Sequence, residues 1–149
     1  TITDKQMTRF SITMSEALDF ILKSAKYGQG SEIFVPKICA YTISDIKNSL
    51  TEILDDPGEE VVGIRPGEKL HETLINSEEI RYSWEYQDVY MITNPLYPMF
   101  HPTIIDETYP GIKKLDKFEQ YSSDLVDKIQ KNELKTIIEE SNLLDSKKC

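Results

Sequence analysis

The sequence predicts an α/β fold, because helix-like and strand-like segments alternate along its first half. An amphipathic pattern predicts a helix at about residues 14–27, and a short apolar run predicts a strand at about 32–35. A second helix at about 44–54 and a second strand at about 60–64 follow. This alternation favours mixed layers of helix and sheet over a helical bundle or a β-sandwich.

The first helix has the clearest pattern. Thr13 and Glu16 have the capping-box spacing, and the helical stripe that follows ends at Gly28. Pro36 stops the next strand, whose continuous apolar run is typical of a strand buried on both faces. Thr42 and Asp45 are suited to cap the second helix. The stripe of the first helix consists of Ala17, Leu18, Ile21, Leu22 and Ala25.

The second half of the chain has weaker patterns. A short helix is expected at about 69–75, a strand at about 89–92 and a last helix, capped by Asn132, at about 132–141. Residues 93–111 are predicted to form a proline-rich loop, and residues 145–149 a frayed tail. With 149 residues, the chain fits a single unit over 1–149.

Composition narrows the classes of function. The net charge of −9 disfavours a nucleic-acid partner, since such proteins cluster Lys and Arg against phosphates. No apolar run approaches the roughly 20 residues of a membrane span, so we expect no membrane partner. Two cysteines cannot form a disulfide framework, and Cys39 is expected to be a buried thiol. A cytoplasmic protein fits these features best.

The turn at residues 65–68 (RPGE) is the first candidate site. Proline presets φ at the second position of a type II turn, and glycine supplies the positive φ at the third. A rigid turn would hold Arg65, a planar fork of donors, against a diphosphate, while Glu68 would accept from ribose hydroxyls. The alternative is a surface turn in which Glu68 only complements the dipole of the following helix.

Arg9 is the second candidate, because another arginine would help to hold two phosphates. Its alternative is an exposed arginine paired with Asp4 or Glu16. Tyr109 and Lys113 have Tyr-x-x-x-Lys spacing, but Pro110 and Gly111 between them oppose a shared helix face. Alternation at Tyr82, Trp84, Tyr86 and Tyr90 fits a sugar-stacking platform or, more simply, one face of a strand.

Two other patterns lead to no site. The glycines of residues 28–30 (GQG) follow a helix, whereas a dinucleotide fingerprint leads from a strand into a helix. His71 lacks a second histidine at zinc-site spacing, and His101 lies in the proline-rich loop, so we expect no metal.

Three strings in order, residues 7–13 (MTRFSIT), 32–37 (EIFVPK) and 63–72 (GIRPGEKLHE), resemble the C-terminal part of CapD-like polysaccharide-biosynthesis proteins. The likeness continues more weakly through residues 121–124 (YSSD) to the last helix. This family lies in the extended short-chain dehydrogenase/reductase superfamily and includes UDP-glucose 4-epimerases and UDP-N-acetylglucosamine 4,6-dehydratases. The resemblance implies the C-terminal portion of an extended Rossmann-type fold.

For function, the resemblance implies an enzyme of surface polysaccharide synthesis whose N-terminal domain binds NAD(P) and carries the catalytic Tyr and Lys. The part represented here would bind the UDP-sugar, with Arg9 and Arg65 on the diphosphate and Glu68 on the ribose. No catalytic and no cofactor-binding residue is expected in this chain, which lacks the N-terminal dinucleotide-binding domain and its glycine fingerprint.

Three hypotheses follow from this resemblance. The chain is the substrate-binding part of an epimerase or, alternatively, a dehydratase, with a separate N-terminal half or a second copy as partner. It is a binding module that has lost the reaction. Or it is a non-catalytic remnant that folds poorly because its sheet partners are missing.

Overall fold

The computed structural model describes residues 1–96, 99 and 105–141. Contacts between Cα atoms divide the chain into two compact units. The first unit contains residues Thr1–Thr13, Cys39–Glu72 and the segment from Ser123 onward, and the second contains Met14–Ile38 and Thr73–Ser122. In chain order, the elements are β1 (Thr8–Phe10), α1 (Met14–Tyr27), β2 (Ile33–Pro36), β3 (Ala40–Thr42), α2 (Ile43–Ile53), β4 (Thr73–Ile75), a 3₁₀ helix (Glu79–Tyr82), β5 (Ser83–Tyr86), β6 (Val89–Ile92), α3 (Ile105–Thr108), β7 (Lys113–Lys114), β8 (Tyr121–Ser122) and α4 (Lys131–Glu140).

The first unit consists of a two-stranded antiparallel sheet, β1 with β3, and the packed helices α2 and α4. The helix α2 begins with the predicted capping box: Asp45 N donates to Thr42 Oγ1 over 3.0 Å, and Thr42 N donates to Asp45 Oδ2 over 3.2 Å. Its apolar face covers a buried cluster contributed by α4 and the residues before it. That cluster contains Ile129, Leu134 and Ile138, with Tyr41, Ile46, Leu50, Ile53 and Ile137 packed around it.

The second unit contains a four-stranded antiparallel sheet in the order β2-β6-β5-β7, and a small sheet of β4 and β8. The inner strand β6 pairs with β2 on one edge and β5 on the other, and it is buried along its whole length. Aromatic rings pack against this core: Tyr86 contacts Tyr109 and Tyr27 edge-to-face, with ring centroids 5.2 and 5.5 Å apart. The core of this unit therefore combines aromatic rings with aliphatic side chains such as Met91 and Ile112.

The predicted helices 14–27, 44–54 and 132–141 correspond to α1, α2 and α4, and the predicted strands 32–35 and 89–92 to β2 and β6. The mixed α/β class is confirmed. Strand β2 is an edge strand with Ile33 59 % exposed, so the prediction that both its faces are buried was wrong. The last helix begins after Gln130 rather than after a capping Asn132.

The predicted strand 60–64 was wrong. Only Val61 forms a β-bridge, parallel to Ile2, because Ile2 alone offers a hydrogen-bonding partner there. Val61, Val62 and Ile64 are about half exposed, and Gly63 has φ +82°, which ends the extended run. An apolar β-branched run without a partner strand therefore stays irregular.

The predicted helix 69–75 was also wrong, since this segment bends and then enters β4. Leu70 O accepts from Thr8 N over 3.0 Å, and Glu72 O accepts from Ser123 N over 2.8 Å. These long-range bonds use carbonyls that a helix would need internally. The helix-like spacing of its leucines and isoleucine was overridden by these bonds.

Three remaining predictions concern cysteine, the loop and the tail. Cys39 is exposed, which corrects the expectation of a buried thiol. The expected loop 93–111 contains the short helix α3, and the part of it around His101 lies outside the described residues, as does the expected frayed tail 145–149. The prediction of a single unit over 1–149 stays a prediction.

Candidate functional site

The turn at Arg65 is closed by two hydrogen bonds. Glu68 N donates to Arg65 O over 3.0 Å, and Arg65 N donates to Glu68 Oε2 over 3.2 Å. Gly67 has φ +83°, the value that the third position of a type II turn requires. The predicted turn is therefore confirmed, and Glu68 belongs to the turn itself rather than to the start of a helix.

The guanidinium of Arg65 is available to a ligand. Arg65, Pro66 and Gly67 are exposed, and in the described part of the chain no side-chain hydrogen bond or ion pair involves Arg65. A rigid backbone thus presents an uncommitted planar cation to solvent. Such a group binds a phosphate or carboxylate through two parallel hydrogen bonds.

Arg9 is held by the protein. Its side chain is 20 % exposed; Nη1 donates to Thr8 O over 2.7 Å and to Leu70 O over 3.2 Å. Nη2 contacts Met7 Sδ at 2.8 Å, and Nε lies 3.7 Å from Glu72 Oε1. These contacts occupy most of the five guanidinium donors. The expected pairing with Asp4 or Glu16 was wrong, because Glu72 takes that place.

Glu72 and Tyr41 complete the surroundings of Arg9. Glu72 Oε2 accepts from Phe10 N over 2.9 Å, which ties the carboxylate to β1. Burial raises the pKa of the Tyr41 phenol; the Glu72 carboxylate raises it further, while Arg9 opposes that shift. The ion pair of Arg9 and Glu72 is thus held against β1 and β3 beside the Tyr41 phenol, and it stabilises this part of the fold.

A hydrogen-bonded cluster that the sequence did not predict lies next to this pair. Thr8 Oγ1 is 2.8 Å from His71 Nδ1 and 2.6 Å from Ser123 Oγ, and Ser123 Oγ accepts from Glu72 N over 2.9 Å. Its members lie in three of the motif strings identified above, at positions 8, 71 and 123. The order of the motifs could have suggested that these residues lie close together. With separations of up to 115 residues, however, the sequence does not show which of them form hydrogen bonds with each other.

The set-aside patterns are explained by packing. Tyr109 is 1 % exposed, directly after α3, and Lys113 lies in the strand β7, so the two share no helix face. Trp84 and Tyr86 pack against the core cluster of Met91, Tyr109 and Ile112, which favours the packing alternative over a sugar platform. Within the described residues, no cluster of His, Cys, Asp or Glu could hold a metal ion. Among the same residues, no helix is long and apolar enough to span a membrane.

Comparisons with known proteins bear on this arrangement. The profile of a family described as "Polysaccharide biosynthesis protein" matches residues 1–94. A UDP-N-acetylglucosamine 4,6-dehydratase (inverting) from Campylobacter jejuni is 34 % identical over 121 residues, which cover 81 % of this chain and 30 % of that protein. A UDP-glucose 4-epimerase from Rickettsia massiliae is 31 % identical over 139 residues, covering 93 % of this chain and 40 % of that protein.

The fold resembles a solved structure described as "X-ray structure of Pen from Bacillus thuringiensis". The TM-score is 0.73 at 27 % identity, and the match covers 95 % of this chain and 40 % of that one. The chain therefore spans about 30 to 40 % of the length of the relatives that it matches.

Proposed function

Because the chain belongs to the polysaccharide-biosynthesis family whose profile covers residues 1–94, we propose that it is the UDP-sugar-binding part of a nucleotide-sugar epimerase or dehydratase. The observation that carries this proposal is the uncommitted Arg65 guanidinium on the rigid turn of residues 65–68. Arg65 would bind the UDP diphosphate bidentately, and Glu68 would accept from the uridine ribose. Arg9, with most of its donors used, would contribute positive charge to the diphosphate.

We propose the epimerase reaction and keep the dehydratase reaction as the alternative, since the dehydratase match has the higher identity, 34 % against 31 %, and the epimerase match covers more of this chain, 93 % against 81 %. The catalytic groups and NAD(P) would belong to the part of the enzyme that this chain does not match. The glycines at 28 and 30 do not fit a dinucleotide, because they follow the helix α1 instead of opening one after a strand. NAD(P) would take up the sugar's hydride in the complete enzyme.

An apolar face supports a polypeptide partner of this kind. The helix α1 exposes Met14, Leu18, Ile21 and Leu22 at 86, 56, 61 and 61 %. A contiguous stripe of this sort on a protein surface marks an interaction site. We propose that the counterpart carrying the dinucleotide-binding domain covers this stripe, since the relatives are more than twice as long as their match to this chain.

The ligand proposal is tested by titrating UDP into the chain by calorimetry. Arg65→Ala is expected to weaken binding about tenfold or more, since each charge-assisted hydrogen bond contributes about 1.5–3 kcal/mol. Arg65→Lys should recover only part of the affinity, because lysine lacks the fork. The matched control is Arg81→Ala, which removes another exposed arginine, in the second unit. No detectable UDP binding, or equal affinity of both alanine variants, would refute the proposal.

The partner proposal is tested by co-expression with a polypeptide carrying the family's dinucleotide-binding domain. Leu22→Asp is expected to abolish co-purification, because it places a charge within the apolar stripe. Lys23→Asp adds a carboxylate to the same helix about 100° around from Leu22, away from the stripe, and should leave co-purification unchanged, since the exposed ion pair of Lys23 with Asp88 contributes little. Loss of binding in both variants, or in neither, would contradict the assignment. UDP-sugar binding without turnover by the assembled pair would instead favour a non-catalytic binding module.

A further inference from the structure

Three segments that are far apart in sequence meet at one buried hydroxyl. Thr8 is 4 % exposed and Ser123 fully buried, and their hydroxyl oxygens lie 2.6 Å apart. His71, half-buried, approaches the same Thr8 hydroxyl through Nδ1 at 2.8 Å. All three residues belong to the first unit, which also contains the turn at Arg65.

The hydrogens of this cluster have two complete arrangements. Ser123 Oγ accepts from Glu72 N and directs its own hydrogen to Thr8, to Oγ1 at 2.6 Å or to the carbonyl at 3.3 Å. In the first arrangement the Thr8 hydroxyl donates to His71 Nδ1; in the second it donates to Ser123 Oγ and accepts from His71 Nδ1. Every polar atom inside the cluster has a partner, as buried polar groups require.

The cluster anchors one end of the exposed segment that contains the Arg65 turn. On the C-terminal side, Leu70 O accepts from Thr8 N, and Glu72 is bonded to Ser123 through both its backbone N and O. On the N-terminal side, Ile2 N donates to Glu60 O and Val62 N donates to Ile2 O. Between these anchors, residues 63–67 are exposed throughout. The exposed turn is therefore bonded to the N-terminal segment on both sides, to Ile2 before it and to Thr8 after it.

We propose that Thr8, His71 and Ser123 are positioning residues that fix the Arg65 turn for the UDP diphosphate. This inference rests on the proposed function. A loop held at both ends has fewer conformations to lose when a ligand orders it, so the affinity of Arg65 for phosphate depends on the cluster. None of the three residues needs to touch the ligand.

The test compares Thr8→Val, which keeps the shape and removes the hydroxyl, with Thr8→Ser, which keeps the hydroxyl. Thr8→Val is expected to weaken UDP binding about fivefold and to speed amide exchange at Arg65 and Glu68, whereas Thr8→Ser stays within about twofold of the unmodified chain. The matched control is Ser83→Ala, which removes a fully buried hydroxyl, bonded to Glu79 O, from the second unit. It should lower stability without changing either readout.

Several outcomes overturn the inference. Amide exchange at Arg65 and Glu68 that is unchanged in Thr8→Val refutes it whatever the ligand does, and so does equal loss of affinity in Thr8→Ser. His71→Ala, at a half-buried position, must show the same two effects even if Thr8→Val fails to fold. If Arg65→Ala leaves UDP binding unchanged while Thr8→Val still speeds exchange, the proposed contact of Arg65 with UDP is wrong, and the cluster orders the turn without a role in binding.

Discussion

The two arginines expected to bind the diphosphate lie in very different surroundings. Arg9, on β1, is one-fifth exposed and bonded to the carbonyls of Thr8 and Leu70, while Arg65 is exposed and uncommitted. Arginines implied by one resemblance thus have different physical roles. A guanidinium whose donors already serve the protein stabilises the fold, and one without protein partners is available to a ligand.

The substitution Arg9→Ala tests whether Arg9 stabilises the fold, and it is expected to have the largest effect on stability. Removing the guanidinium leaves the carbonyl of Leu70 with fewer donors and the Glu72 carboxylate without its cation. We expect the free energy of unfolding to fall by about 2–4 kcal/mol, because hydrogen bonds from charged donors contribute about 1.5–3 kcal/mol each. Urea titration followed by circular dichroism measures this loss. Arg9→Lys should recover less than half of it, since lysine cannot bridge two carbonyls in plane.

A fall of less than about 0.5 kcal/mol in Arg9→Ala would place Arg9 in the same class as exposed surface arginines. Arg9 would then be free to turn towards a ligand, and the distinction from Arg65 would fail.

The sequence predicted the local features of this site better than its tertiary ones. The Pro66-Gly67 turn and the Thr42 cap were predicted correctly because both depend on backbone preferences of adjacent residues. The segment after Lys69 was predicted as a helix, yet its carbonyls bond to Thr8 and Ser123, 62 and 51 positions away. The helical spacing of apolar residues does not show that distant residues bond to the carbonyls that the helix would use.

The same limit applies to the roles of the two arginines. Judged by residue type alone, Arg9 and Arg65 are equally suited to bind a phosphate. What separates them is the number of protein acceptors around each guanidinium, and that number is fixed by tertiary packing.

A second prediction concerns the rigidity of the turn. Gly67→Ala places a Cβ at φ +83°, and we expect a loss of about 1–2 kcal/mol in unfolding free energy together with weaker UDP binding. Gly58→Ala is the matched control, because Gly58 has φ +80° in another exposed loop of the same unit. It should show a similar stability loss at unchanged UDP affinity. Equal loss of affinity in both variants would show that the effect on binding is general rather than specific to the turn.

A smaller effect is expected for Glu68→Ala. Its carboxylate accepts from Arg65 N over 3.2 Å near the surface, so we expect a loss of about 0.5 kcal/mol, measured by thermal unfolding. Glu68→Gln retains an acceptor and should lose less. If Glu68 also contacts the ribose, both variants will weaken UDP binding more than they weaken the fold. Binding losses that only match the stability losses would restrict Glu68 to the turn.

The smallest effect on stability is expected for Arg65→Ala, and it is the sharpest complement to Arg9→Ala. The guanidinium has no partner among the described residues, so the free energy of unfolding should stay within about 0.5 kcal/mol of the unmodified chain. The same urea titration used for Arg9→Ala measures it, and Arg81→Ala again serves as the exposed control. A loss above about 1 kcal/mol would mean that Arg65 supports the fold. An unchanged fold combined with weaker UDP binding would instead separate the two arginines, since only Arg65 would then act on the ligand without acting on the protein.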